Sequence, residues 1–182
     1  MSRPEKPLPA KLVIGVFLKE KRFISSVAKD LSRSFGPMDM VSRWLPFDLT
    51  TYYEKEMGTP LFRRIFVFQA LIEQHALPGI KILTNQLESK YLNNNKRTIN
   101  VDPGYMLRER FVLATGKNFS HRIYIGQHIY ADLTLIYTKG RFQALPWTYP
   151  DYREENMLAY LEKIREKYVS DIKKINHLQN NL

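Results

Sequence analysis

The stretch that decides the fold runs from Ser120 to Leu145 and reads SHRIYIGQHIYADLTLIYTKGRFQAL. Three extended runs alternate apolar and polar residues, and Gly126-Gln127 and Lys139-Gly140 separate them. Alternation with period two is typical of half-buried strands, and such glycine dipeptides are typical of tight hairpin turns. The stretch therefore predicts a three-stranded antiparallel β-meander with Leu133 and Leu135 buried.

The register of the first hairpin follows by counting if Gly126-Gln127 is the centre of a two-residue turn. His121 then lies directly opposite Asp132, and Arg122 faces the other side of the sheet. One face would belong to the core and carry Tyr124, Ile129, Ala131, Leu133, Leu135, Tyr137, Phe142 and Ala144. The other face would be mostly polar and carry His121, Tyr130, Asp132, Thr134, Thr138, Arg141 and Gln143, with Ile123, Ile125 and Ile136 among them.

This polar face has two interpretations. It is either the solvated side of an antiparallel sheet or a ligand-binding platform centred on His121 and Asp132. An opposed carboxylate would orient the imidazole and favour its protonated form, which suits a general acid/base or a phosphate-binding cation. The candidate catalytic residues are therefore His121 and Asp132. The candidate ligand-binding residues are Tyr130, Thr134, Arg141, Gln143, Lys117, Arg122 and Trp147.

The N-terminal part of the chain predicts a β-α-β unit. Residues 1–10 contain three prolines and are predicted to form a mobile leader ahead of a single domain over residues 11–182. Lys11–Phe17 is an apolar run typical of a buried strand. Helix-spaced apolar residues follow from Ile24 until Gly36-Pro37, and Met38–Phe47 is again extended.

The remaining segments add helices and strands on either side of the meander. Thr51 and Glu54 resemble a capping box for a short helix that ends at Gly58. Leu61–Ile72 predicts a strand, Pro78 begins a helix, and Asp102-Pro103-Gly104 predicts a turn. Asp151 is expected to cap a C-terminal helix that starts near Tyr152, with an apolar stripe at Met157, Leu161, Ile164 and Tyr168. The fold class is α+β: one domain, a mixed or antiparallel sheet with a C-terminal meander, and three to four flanking helices.

Composition limits the classes of function. The 182 residues include 28 Lys+Arg against 18 Asp+Glu, a net charge of +10 that is spread over the first 150 residues. This favours anionic partners such as nucleotides, and RNA remains possible although no RNA-binding motif occurs. The absence of cysteine excludes disulfides and cysteine nucleophiles. No apolar run reaches bilayer length and the N-terminus has no apolar signal region, so we expect a cytoplasmic protein without a membrane partner.

Familiar cofactor motifs are missing. Gly116-Lys117 lacks the rest of a phosphate-binding P-loop, because position 111 is Phe and position 118 is Asn. No G-x-G-x-x-G fingerprint occurs. The four histidines stand apart from one another, so no metal site is expected. The sequence indicates no particular cofactor.

Several segments together resemble a known family. They are Pro46-Phe47-Asp48, Tyr52–Gly58, Asp102–Tyr105, His121–Tyr124, Ile129–Asp132 and Leu145–Tyr152. In this combination the chain is similar to a bacterial family of about this length, catalogued as a domain of unknown function, whose members are often labelled "GTP-binding protein". The family more usually has Leu at position 101, Asp at 118 and Glu at 132. The label implies guanine nucleotides, yet Asn95-Lys96 continues into Arg97-Thr98 rather than a guanine-binding N-K-x-D, so any GTP binding is predicted to be weak and without P-loop geometry.

Three functions remain open at this point. The leading one is binding of an anionic ligand, a nucleotide or phosphorylated small molecule, on the polar face of the meander. The alternative is a hydrolase or transferase that uses His121 and Asp132 for proton transfer. The third is a protein or RNA interaction module without a small ligand.

Overall fold

A computed structural model of the chain describes residues 1–47 and 54–180. Its helices are α1 (Ile24–Phe35), α2 (Glu54–Met57), α3 (Leu77–Ser89) and α4 (Glu155–Asn180), with short 3₁₀ turns at Lys21–Phe23, Gln74–Ala76 and Pro150–Tyr152. Its strands are β1 (Ala10–Leu18), β2 (Met38–Val41), β3 (Leu45–Pro46), β4 (Phe62–Ile72), β5 (Leu92–Asn93), β6 (Lys96–Arg97), β7 (Ile99–Met106), β8 (Arg110–Thr115), β9 (Arg122–Gly126), β10 (Ile129–Thr138) and β11 (Arg141–Ala144).

One open antiparallel sheet of nine strands organises the described residues. Its main path runs β2-β4-β1-β7-β8-β10-β11, with β3 beside β4 and β9 beside β10, while β5 and β6 form a separate hairpin. Every neighbouring pair is antiparallel. The α+β class, the antiparallel sheet and the flanking helices are therefore confirmed.

The predicted β-α-β unit is present, with β4 inserted between its two strands. Because β1 and β2 are each antiparallel to β4, they run parallel to one another. Helix α1 connects them and buries Val27 and Leu31. Gly36 ends this helix with a φ of 85°, a left-handed value that glycine adopts without strain, and its N–H donates to the Ser32 carbonyl.

Helices cover both faces of the sheet. On one face α1 and α3 pack over the even-numbered residues of β1, including Leu12, Ile14 and Val16. On the other face α4 packs its predicted apolar stripe, Met157, Leu161, Ile164 and Tyr168, which is fully or almost fully buried. The alternation along β1 therefore divides the core into two layers, as period two requires.

The meander differs from the prediction in its arrangement. The three runs are antiparallel strands, but β9 and β11 lie one after the other along the same edge of β10, while β8 occupies its other edge. Ten residues of strand extend about 33 Å, which leaves room for two short partners on one side. Leu135 is fully buried as predicted, whereas Leu133 is only partly buried.

The register of the first hairpin is shifted by one residue from the prediction. Its turn is Gln127-His128, and both residues have a positive φ. Ile125, which lies before the turn in β9, forms a bulge, and Arg122 rather than His121 therefore lies opposite Asp132. A shift of one residue moves side chains to the other face of a strand. Tyr124, expected in the core, is accordingly exposed.

The predicted turn at Asp102-Pro103-Gly104 is wrong, since β7 runs straight through it. Strand β8 pairs with β7 only from Gly104 onwards, so Pro103 lies where that edge of β7 is open and its missing N–H breaks no ladder. Gly104 is required for packing: a Cβ there would lie 2.4 Å from the Val112 carbonyl oxygen.

The start of the last helix also differs from the prediction. A 3₁₀ turn at Pro150–Tyr152 precedes α4, which begins at Glu155, and Asp151 does not cap it. Asp151 is instead buried and accepts a hydrogen bond from Arg63. Its charge pairs with another buried charge, and this anchors the segment before α4 to β4. The predicted capping residue Thr51 lies outside the described residues; α2 begins at Glu54.

Candidate functional site

A cleft opens where β7 and β8 separate. The two strands pair only from Gly104 to Met106, so the earlier part of β7 has an open edge. Two side chains of α3 bind the backbone there: Glu88 accepts from the Val101 N–H at 2.7 Å, and Lys81 donates to the Val101 carbonyl at 3.0 Å. These side chains replace a neighbouring strand and leave space beside them.

The cleft has a volume of about 340 Å³ and a mostly polar lining. Among the described residues, three lysine or arginine side chains and three carboxylates line it. The lining residues are Lys81, Asn85, Glu88, Arg97, Asn100, Asp102, Leu113, Ala114, Thr115, Gly116, Lys117, Asp132 and Tyr149. Such a lining suits a ligand that carries both hydrogen-bond acceptors and donors.

Asn100 presents an unpartnered donor in this cleft. Its side-chain oxygen accepts a hydrogen bond from Arg97 at 2.8 Å, and because a guanidinium can only donate, this contact fixes the orientation of the amide. The residue is 3% exposed, and its Nδ2 has no hydrogen-bond partner. A buried amide N–H without a partner costs about 1–3 kcal/mol, so an acceptor placed beside this atom would be stabilising.

The charged groups around Asn100 are held in place by one another. Lys81 lies 3.4 Å from the Asp102 carboxylate, and Arg97 lies 3.6 Å from Glu88. Burial raises the pKa of Glu88 above its ordinary value, although Lys81 opposes this shift. Arg97 also forms a two-pronged contact with Glu56 at 2.6 and 2.7 Å. The cleft is therefore preorganised.

Asp132 forms the opposite wall and is almost completely buried. Its Oδ2 accepts from Arg122 Nε at 2.9 Å and lies 3.2 Å from His121 Nε2. Asp132 pairs with Leu113, and Leu113 pairs with Gly104, so register puts Asp132 and Asp102 on the same face of the sheet. Two carboxylates thus border the cleft from β7 and β10.

His121 contacts Asp132 but does not line the cleft. Its ring stacks on Trp147, with centroids 4.9 Å apart and planes 9° apart, and Phe119 packs edge-on at 5.4 Å. Trp147 is itself fixed by a 2.8 Å hydrogen bond from its Nε1 to the Leu133 carbonyl. His121 is therefore placed to orient Asp132 rather than to touch a ligand in the cleft.

The segment before α4 closes one side of the cleft. Thr148 donates to the Thr134 carbonyl at 2.5 Å and accepts from the Leu145 N–H at 2.8 Å. The next residue, Tyr149, accepts a 2.6 Å hydrogen bond from Arg122. Burial raises the pKa of the Tyr149 phenol, and Arg122 opposes that shift. Arg122 therefore links this segment to Asp132.

The residues predicted for the ligand platform have different positions. Lys117 and Asp132 line the cleft, and Arg122 binds Asp132, although the predicted register placed it on the other face. Thr134 is fully buried and bonds to the Asp132 carbonyl at 3.1 Å. The others are not among the lining residues: Tyr130 packs edge-on against Tyr124, Arg141 is exposed at the β10–β11 hairpin, Gln143 is partly buried in β11, and Trp147 stacks on His121. The polar face is thus neither an open platform nor simply solvated.

The side of the cleft formed by α3 and β7 was not predicted from the sequence. Lys81, Asn85 and Glu88 have the i, i+4, i+7 spacing of one helix face. Asn100 and Asp102 alternate with Ile99 and Val101 as on a strand. Both patterns were available as a signal, but the predicted turn at Asp102 separated them.

Metal ligands and membrane-spanning helices are two further features for which the described residues can be examined. Among the residues that the structure describes, no group of three or more histidine, aspartate or glutamate side chains is placed to hold a metal ion. Within the same residues, no helix has both the length and the apolar character needed to cross a membrane.

Comparison with known proteins identifies the family. The sequence model of the family described as Domain of unknown function (DUF4416) matches residues 8–168, and the chain belongs to this family. The resemblance to a family of unknown function is thereby confirmed. No match was found among curated proteins or among solved structures.

Proposed function

We propose that this member of the DUF4416 family binds a small phosphorylated molecule, such as a nucleotide or sugar phosphate, in the cleft between β7 and β8. The observation that carries the proposal is the Asn100 amide, whose buried N–H groups have no partner and border the cleft. A phosphate oxygen is a strong acceptor for such a donor.

The charges of the lining fit both ends of such a ligand. The ammonium groups of Lys81 and Lys117 favour a phosphate. The carboxylates of Asp102 and Asp132 accept hydrogen bonds from ribose hydroxyls or amino groups, as acidic residues do in dinucleotide sites. A ligand with phosphate alone would leave the carboxylates unused.

The size of the cleft limits the ligand. Small-molecule sites span roughly 300–1,000 Å³, and this cleft, at about 340 Å³, belongs at the low end. We infer a mononucleotide or sugar phosphate rather than a dinucleotide. No P-loop geometry is involved, since the lining of the cleft depends on side chains of α3 and β7.

A thermal-shift screen tests the proposal. At a concentration 100 times Kd a ligand adds about 2.7 kcal/mol to stability, which corresponds to roughly 5–11 °C for a chain of this size. The panel contains GTP, GMP, AMP, ribose 5-phosphate and glucose 6-phosphate. We expect at least one to stabilise the wild-type protein.

Two variants with the same change in charge locate the binding. Asn100→Asp keeps an oxygen for Arg97 but replaces the donor with a negative group, so it should reduce the shift. Arg141→Gln changes an exposed residue away from the cleft and should keep it. No stabilisation by any compound, or equal shifts in both variants, would contradict the proposal.

The second candidate function, a hydrolase or transferase, is favoured by one observation. The Asp132 carboxylate lines the cleft and has His121 at hydrogen-bond distance. In that case Asp132 would exchange the proton with the substrate, and His121 would be a positioning residue. Turnover of a stabilising ligand by the wild-type protein, lost in Asp132→Asn, distinguishes catalysis from binding alone.

A further inference from the structure

A second cavity lies near the edge of the sheet formed by β2 and β3, between α4 and the chain that joins these two strands. It has a volume of about 360 Å³ and is lined by Ser42, Arg43, Leu45, Asn156, Ala159, Tyr160 and Lys163. The four α4 residues have i, i+3, i+4 and i+7 spacing and so form one face of the helix. Among the described lining residues two are cationic and none is a carboxylate, unlike the lining of the cleft at β7 and β8.

Tyr160 lines this cavity, and its hydroxyl is unsatisfied. The oxygen is buried and has no hydrogen-bond partner among the described residues. Burial, together with the nearby Asp39 carboxylate, raises the pKa of Tyr160 to about 12, so the hydroxyl keeps its proton as a donor at neutral pH. The charge of Asp39 is itself compensated, because Lys11 and Lys167 lie 3.2 and 2.8 Å from its Oδ2.

One of the two cationic side chains of the cavity, Arg43, has a hydrogen-bond partner on α4. Arg43 donates to the Asn156 side-chain oxygen at 2.5 Å, which links the β2–β3 connection to α4. Ser42 fixes the backbone beside it: its hydroxyl donates to the Arg43 carbonyl at 2.6 Å and accepts from the Ile65 N–H at 2.9 Å. The guanidinium is therefore positioned before any ligand arrives, which lowers the entropy lost on binding.

We propose that this cavity is an anion site for the phosphoryl group of a phosphomonoester, bound by Arg43, Lys163 and the Tyr160 hydroxyl. A phosphoryl group has three strongly accepting oxygens, which matches in number the three donor residues that line the cavity from α4 and the β2–β3 connection. Arginine is suited to it because its planar fork binds phosphate oxygens in pairs. This site is separate from the cleft of the proposed function and does not depend on it.

The test is an amide chemical-shift titration by NMR with inorganic phosphate and with glucose 6-phosphate, at constant ionic strength. The amides of Arg43 and Tyr160 should shift and saturate. Tyr160→Phe removes only an unpartnered hydroxyl and should preserve the fold while raising Kd about tenfold, the effect of one hydrogen bond to a charged group. Lys163→Gln should also weaken binding.

Matched controls separate this site from general charge effects and from the cleft. Lys174→Gln, an equal loss of charge at an exposed position further along α4, should leave Kd unchanged. Asn100→Asp should leave it unchanged as well. The proposal is overturned if the shifts do not saturate, if acetate at the same ionic strength reproduces them, or if Tyr160→Phe binds phosphate as tightly as the wild type.

Discussion

Replacing Asp151 with asparagine should destabilise the protein strongly, because it leaves a buried charge without its partner. Asp151 accepts a hydrogen bond from Arg63, and both side chains are less than one-tenth exposed. The guanidinium stays charged after the substitution, because an arginine side chain is not deprotonated in proteins at neutral pH. The rings of Phe47 and Tyr152 lie 4.4 and 4.9 Å from this guanidinium.

The size of the effect follows from the burial of the pair. Removing one partner of a buried ion pair costs about 3–5 kcal/mol. An asparagine oxygen can still accept a hydrogen bond from Arg63, so we expect about 3 kcal/mol, the lower end of that range. Against a total stability of about 5–15 kcal/mol, this is a large fraction.

Urea unfolding followed by circular dichroism measures this loss. The urea concentration at the midpoint should fall, and the slope m should stay the same. A constant m indicates that the unfolded state is unchanged. The double variant Arg63→Met/Asp151→Leu should be more stable than Asp151→Asn, since apolar replacement removes the isolated charge. A loss below 0.5 kcal/mol in the single variant, or a double variant less stable than it, would refute the reasoning.

Two further predictions concern packing and pH. Gly104→Ala should destabilise by about 3 kcal/mol, the upper part of the overpacking range, because its Cβ would meet the Val112 carbonyl oxygen, whereas Gly116→Ala, with nothing within 4 Å, should be neutral; equal urea midpoints for the two would contradict this. Burial alone would raise the pKa of Asp171, but hydrogen bonds from Lys11 and Lys167 lower it overall, so its stabilisation is complete above the unfolded value of 3.8 and is lost as the pH falls through the folded value. The difference in unfolding free energy between the wild type and Asp171→Asn should therefore be constant from pH 7 to pH 5 and shrink in more acidic solution, and a difference that grows on acidification would contradict this.

Local patterns were enough for most elements of the fold. The apolar run of β1, the helix spacing with the Gly36 end of α1, and the stripe of α4 each reflect one element packing against the sheet. The hairpin register was not determined in the same way. Two neighbouring dipeptides, Gly126-Gln127 and Gln127-His128, are both compatible with a tight turn. The bulge at Ile125 then changes the pairing of β9 with β10 by one residue, so the register could not be obtained by counting from the turn.

The site was predicted only in part. His121 and Asp132 are in contact, as predicted. Arg122 lies directly opposite Asp132, and the imidazole of the adjacent residue His121 still reaches the carboxylate. The other wall depends on where β7 and β8 separate. That separation depends on β1, β7, β8 and α3 together. The residues Asp102-Pro103-Gly104 are compatible with a turn and with an open strand edge, and the local sequence does not distinguish the two.

The most direct test of the proposed cleft is the side-chain NH₂ resonances of Asn100, observed by ¹⁵N-edited NMR during titration with GTP, GMP and ribose 5-phosphate. If a ligand oxygen accepts from this amide, the Asn100 protons should move downfield and saturate with the same Kd as the thermal shift. Asn176, which lines neither this cleft nor the cavity beside α4, is the internal reference. Asn100 resonances that stay in place while a ligand from this set saturates the protein, or the failure of all three to bind, would contradict the account.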